Sequence, residues 1–136
     1  MSAIAVLSRG VEAETRVTGS NPDLPGRMPS RIDERRRCTI VRIEGELDAA
    51  IYPEFVLALD QAVTSSSHAV VVDFRQTRFL SIGSATALVG AKATADARGV
   101  DLRVVAARRE VERVLDVTGV RPLFRYYATV QAAMEG

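Results

Sequence analysis

"HAVVVDFRQTRFLSIGSATALVGAKATADARGVDLRVV", residues 68–105, decides the architecture. It opens on a short, nearly continuous β-branched run at Val70–Val72, the composition of a strand covered on both faces, which suits the centre of a parallel sheet. From Arg78 a strand-like run gives way to a helix, with Ser81, Gly83 and Ser84 at the junction. Ala85, Leu88, Val89 and Ala95 then recur at helical spacing, Gly99 stops the pattern, and "VDLRVV" begins another strand. Strand, helix and strand in this order form the unit of an α/β layer.

The same reading extends outward. "CTIVRIEGEL" (38–47) sets Val41 and Ile43 on one face and Arg42 and Glu44 on the other, predicting a partly exposed strand closed by Gly45. "YPEFVLALDQAV" (52–63) has Pro53 in its first turn and Phe55, Val56, Leu59 and Val63 at helical spacing, so an amphipathic helix is expected there. "REVERVLDVTG" (109–119) places Val111, Val114, Leu115 and Thr118 on one face, with Gly119 as the C-terminal cap. "PLFRYYATVQAAMEG" (122–136) offers a short extended piece and a last helix capped by Thr129.

Residues 1–28 differ in character. Gly10, Gly19, Ser20, Asn21, Pro22, Pro25 and Gly26 break any periodicity, predicting a flexible N-terminal tail whose removal leaves the core, residues 29–136, intact. Arg35, Arg36 and Arg37 follow as a basic cluster diluted by Asp33 and Glu34, the pattern of a solvated turn more than of a phosphate-seeking patch.

Composition narrows the function. A chain of 136 residues with 47% hydrophobic content builds one core. Its 18 basic and 17 acidic residues leave a formal charge of +1, which draws it to neither nucleic acid nor an anionic membrane. It also has no Trp for stacking on bases. The apolar run Ala3–Leu7 is too short for a signal peptide, and no run approaches the roughly 20 residues of a spanning helix, so a soluble, cytoplasmic protein is expected. Cys38 and His68 are the only residues of their kinds, so no disulfide framework, metal or cofactor is expected. A serine hydrolase lacks a partner for Ser81, because His68 begins the central strand at the end opposite the Ser81 turn. A phosphate loop lacks its glycine-lysine pair. Asp73, late in the buried strand, is expected to tie down loop amides and not to act as a base.

Taken in order, "VRIEGELDAA" (41–50), "VVVDFRQTRFLS" (70–81), the alanine-rich helix, "ARGVDLRVV" (97–105), "REVERVLDVTGV" (109–120) and "ATVQAAM" (128–134) resemble the STAS domain family, specifically its small bacterial anti-sigma factor antagonists. The resemblance runs from Cys38 to the C-terminus. It implies an α/β STAS fold: a four- to five-stranded mixed sheet flanked on one side by helices, about four in all. It also implies a protein that binds and does not catalyse, its partner a serine-kinase-like anti-sigma factor that it masks to free a sigma subunit, with no direct contact to nucleic acid. In that family a turn reading phenylalanine, aliphatic, aspartate, serine, serine or threonine, glycine carries the phosphoacceptor as its first serine. An ungapped match puts Phe79 and Leu80 on the hydrophobic pair, Ser81 on the aspartate, Ile82 on the phosphoacceptor, Gly83 on the next hydroxyl residue and Ser84 on the glycine. Sliding the match by one would put Ser81 on the acceptor but turn Phe79 and Leu88 out of their buried faces. The ungapped version is therefore preferred, and it removes the usual acceptor hydroxyl.

Five residues are expected to meet the partner: Asp48, Ser81, Ile82, Gly83 and Ser84. Ser81 and Ser84 are also the alternative phosphoacceptors, and capping of the helix accounts equally for both serines. Ile82 is either an exposed contact or a residue folded back into the core. Asp48 is either a recognition residue beside the turn or a cap for the segment that follows it. A second function class, also implied by the family, is a sensing or scaffold module that binds a small anion or nucleotide at the helix end, or docks onto a transporter or signalling complex.

Overall fold

The computed structural model describes residues 2–10, 37–106 and 108–136. Arg35 and Arg36 of the basic cluster, and the side chain of Arg37, lie outside the described residues, as does most of the expected tail. Six strands form a mixed sheet: β1 (Ala3–Gly10), β2 (Arg37–Leu47), β3 (Ala69–Asp73), β4 (Thr77–Leu80), β5 (Asp101–Val105) and β6 (Arg125–Tyr127). Among the described residues four α-helices accompany them: α1 (Tyr52–Ser65), α2 (Ile82–Ala97), α3 (Arg109–Val117) and α4 (Val130–Glu135). The spatial order is β1-β2-β3-β5-β6, with β4 paired to β2 off that path. Only β1 runs antiparallel to its neighbour; the pairs β2–β3, β3–β5, β5–β6 and β2–β4 are parallel.

All five residues of β3 are buried, as its β-branched run predicts. Strand side chains alternate between faces, so the sheet separates two cores. Val41, Ile43, Val70, Val72, Leu102 and Val104 point into the larger core, beneath Phe55 and Leu59 of α1, Leu88 of α2 and Leu115 of α3. Ile40, Val71 and Val105 point the other way, against Ala133 of α4. Helices therefore lie on both faces, which corrects the expectation of one. The reason is local to β5: Arg103, only 3% exposed, donates to the Ala133 carbonyl at 2.7 Å and to Asp101 at 2.8 Å. A buried guanidinium needs such partners, and the last carbonyls of a helix have no partner within it. One contact meets both needs and holds α4 on the second face.

Three further expectations change. Residues 3–10 do not belong to a tail: they pair with β2 from Ala3↔Glu44 to Gly10↔Arg37, with Ile4 packed on the larger core and Leu7 on the smaller. This strand raises the count to six. Gly45 does not close β2, which continues to Leu47; it sits at φ 89°, at a register shift between Gly45 and Glu46. A residue without Cβ tolerates that backbone, and the irregularity lets β2 exchange β3 for β4 as its neighbour. Val56 and Val89, expected in the helix faces that pack on the core, are 38% and 41% exposed, while Ala58 and Ala62 are buried in place of the former. The caps hold: the Ala132 amide donates to Thr129 Oγ1 at 3.0 Å, and Gly119 adopts φ 77° after α3. No helix among the described residues is long and apolar enough to cross a membrane.

Candidate functional site

The junction between β4 and α2 stands at one end of the sheet. Its height there is set by Asp73, whose carboxylate is fully buried and accepts the Arg75 amide at 3.0 Å, the Arg75 guanidinium through both oxygens at 3.0 Å, and Arg42 Nε at 3.4 Å. Asp73 thus ties down a loop amide, as expected. Burial pushes this carboxyl up, but the Arg75 guanidinium and amide and the Arg42 side chain outweigh it and hold the group below the usual carboxylate range. Thr77 Oγ1 donates to the Ile43 carbonyl at 2.8 Å, and the Gly45 amide donates to Gln76 at 3.0 Å. With Phe74 ringed against Phe55 at 6.4 Å, the β3–β4 turn is pinned on three sides. Strand β4 then runs in register with the end of β2, Leu80 opposite Leu47.

That register brings Asp48 beside the turn, because the Ser81 amide donates to the Leu47 carbonyl at 3.0 Å. Asp48 is partly exposed and its carboxylate accepts the amides of Ala50 at 3.1 Å and Ile51 at 3.3 Å. This is the capping geometry expected of an aspartate before a turn. Ser81 is the N-cap of α2: its hydroxyl accepts the Ser84 amide at 3.1 Å and bonds the Ser84 hydroxyl at 2.9 Å. Ser84 itself is fully buried, whereas Ser81 is partly exposed. The two serines are therefore not equivalent: Ser84 is withdrawn from solvent and Ser81 is not.

Ile82, the first residue of α2, is 64% exposed and does not fold back into the core. Gly83 is exposed, and a Cβ there would meet nothing within 4 Å, so no contact inside the chain demands a glycine. Phe79, expected on the buried face of its strand, is 47% exposed; β4 buries only Thr77 and Leu80. Its exposure removes one of the two arguments for the ungapped match, while Leu88, fully buried, keeps the other. Phe79 is also the candidate that sequence reasoning missed: an aromatic in a four-residue strand gives no sign of which face it takes. Together Phe79 and Ile82 make an apolar knob at the capped start of a helix, flanked by Asp48 and by the Arg78–Glu46 pair at 3.4 Å. Such an end carries partial positive charge from unpaired amides, and the exposed apolar area beside it suits contact with another protein surface. No group of three or more His, Cys, Asp or Glu side chains that could hold a metal occurs among the described residues.

Residues 30–133 match the model of the STAS domain. The chain belongs to the STAS domain family. Solved structures agree with this at the level of fold. An anti-sigma factor antagonist from Mycobacterium paratuberculosis superposes with a TM-score of 0.69 at 20% identity, covering 98% of this chain and 92% of that one. The anti-sigma factor antagonist SpoIIAA in its unphosphorylated form gives 0.63 at 17% identity, over 72% of this chain and 85% of its own. The phosphorylated form of SpoIIAA, described as a Bacillus cell fate determinant, gives 0.57 at 16% identity, over 74% and 90%. Comparison with curated proteins gave no match. The mixed sheet with helices is thus the STAS fold, here with β1 as its antiparallel edge.

Proposed function

We propose that this STAS domain is an anti-sigma factor antagonist: a non-enzymatic, cytoplasmic protein that seats the β4–α2 junction on a kinase-like anti-sigma factor, so that a sigma factor is released to promote transcription. The observation that carries the reading is the exposure of Ile82 at the first position of α2, beside Asp48 and Phe79. An apolar side chain that is left in water in the free protein gains free energy only when a partner covers it. Gly83, for which the chain itself has no use, fits a surface that a partner approaches closely. Similarity to solved antagonists supports the same role through the fold.

Regulation differs from the usual serine switch. Phosphorylation would add about −1.5 to −2 charge and eject an apolar partner, but Ile82 has no hydroxyl to accept the group. Ser84 is buried, which leaves Ser81 as the more accessible of the two serines, engaged as a cap.

The test is to co-purify the chain with its partner, then add ATP to the complex. A histidine-kinase-like partner that stays bound with ATP, with no phosphate on the chain, supports the reading, and Ile82→Ser should then gain phosphorylation and ATP-dependent release. Rapid stoichiometric labelling of the unmodified chain at Ser81 would overturn the unswitched reading. A bound small anion and no protein partner would favour a sensor module instead.

A further inference from the structure

Beside the turn, helices α1 and α2 descend from the same end of the sheet and leave between them an open trough of about 390 Å³. Tyr52, Val56 and Asp60 line it from α1; Ala87, Gly90 and Thr94 line it from α2. The α2 wall is low because its residues are small, and a Cβ at Gly90 would meet nothing within 4 Å. At the far end Arg98 donates to the Thr64 carbonyl at 3.1 Å and ties the two helix termini together. From Tyr52 to Val63 the trough runs along three turns of α1, roughly 16 Å at 1.5 Å per residue.

Three observations restrict what can lie there. The trough is long and open, whereas small-molecule sites enclose most of their ligand; three turns is the span over which a docked helix places anchors at i, i+3 or i+4, and i+7. Asp60 lines this apolar surface, is exposed, and has no ion-pair or side-chain hydrogen-bond partner among the described residues. An apolar occupant would strip water from that carboxylate, so a cation at this point is favoured over a neutral or acidic one. The trough also opens toward the junction above, because Thr86, one turn after Ile82 on α2, lines it and is exposed.

We infer that the trough between α1 and α2 seats a basic amphipathic helix of a protein partner, its apolar residues between Val56 and Gly90 and a lysine or arginine on Asp60. The inference rests on the reading of this chain as a protein-binding module, not on the identity of the anti-sigma factor. A second copy of the chain presenting this same face is a poorer occupant, since the lining of its trough offers Asp60 no lysine or arginine.

The test uses the isotopically labelled full chain, followed by amide chemical shifts during titration with a synthetic leucine–lysine amphipathic helical peptide four turns long. A leucine–glutamate peptide of the same pattern serves as the comparison. Saturable shifts at Val56, Asp60, Gly90 and Thr94 with the lysine peptide alone are expected. Asp60→Lys should weaken the lysine peptide about two- to fivefold, the range of a partly exposed ion pair, and strengthen the glutamate peptide by a similar factor. Gly90→Phe should fill the trough and weaken the lysine peptide at least tenfold with the fold retained by circular dichroism. Ile82→Ala should leave peptide binding unchanged, so loss of anti-sigma binding through the junction is read separately. The inference is overturned by equal response to both peptides, by shifts confined to other surfaces, by dodecylamine moving the trough amides where the peptide does not, or by concentration-dependent self-association that buries them.

Discussion

Replacing Ile82 separates folding from binding. The side chain is 64% exposed in the free chain, so about two-thirds of the ~1.5–3 kcal/mol that full burial of an isoleucine is worth remains to be gained in a complex, roughly 1–2 kcal/mol. Ile82→Ala gives up most of that, and the dissociation constant for the anti-sigma factor should rise about 5- to 30-fold. Ile82→Asp gives up the same area and adds a carboxylate with no partner, which costs a few kcal/mol more in an apolar interface and should abolish measurable binding. Folding responds in the opposite sense. Ile82 is the first residue of α2, where a negative charge meets the positive end of the helix and stabilises it by about 0.3–1 kcal/mol. The aspartate variant should therefore melt at or a few degrees above the unmodified chain while failing to bind. Isothermal titration against the partner and scanning calorimetry of the free protein measure the two effects. Unchanged affinity in a folded Ile82→Asp variant would place the partner surface elsewhere and refute the reasoning.

Other perturbations test the frame that holds the site. Deleting residues 1–10 removes an edge strand together with Ile4 and Leu7, so the thermal midpoint should fall by more than about 8 °C; an unchanged midpoint would mean that β1 adds nothing to the sheet. Val71→Ala empties space between β3 and α4 at a fully buried position and should cost on the order of 1–3 kcal/mol in urea denaturation, with a neutral result showing that the second core is loosely packed. Asp73 is depressed in the folded chain, so its contribution to stability is complete above the unfolded value near 3.9 and is lost as pH falls through the lower folded value. Asp73→Asn should accordingly destabilise at pH 7 and flatten the acid limb of stability against pH below about 4, whereas a parallel loss at every pH would contradict the ion-pair account.

Much of this protein was legible because it is encoded over a few residues. The β-branched run at Val70–Val72, the helical spacing of Phe55, Leu59 and Val63, and the cap at Thr129 each report local preferences, and each appears in the structure as read. Ser81 as the start of α2 belongs to the same class, since a hydroxyl before a helix serves the first amides wherever the helix goes. Family membership followed from the order of such pieces.

What needed the tertiary structure are the features that depend on partners distant in sequence. "AIAVLSRG" carries no strong strand signal and becomes β1 only because β2, beginning 27 positions after β1 ends, offers it an edge (37 − 10). Helix α4 looks like any short amphipathic helix, and its face of the sheet is chosen by Arg103, 30 residues earlier. The exposure of Phe79, and the burial of Ser84 beside an accessible Ser81, depend on how β4 leaves β3 and lies along β2 past Gly45. Composition and periodicity set which elements form, because those follow from each residue's own backbone and side-chain preferences; which faces meet, and which residues are left in water to meet a partner, is settled only when distant elements compete for the same apolar surface.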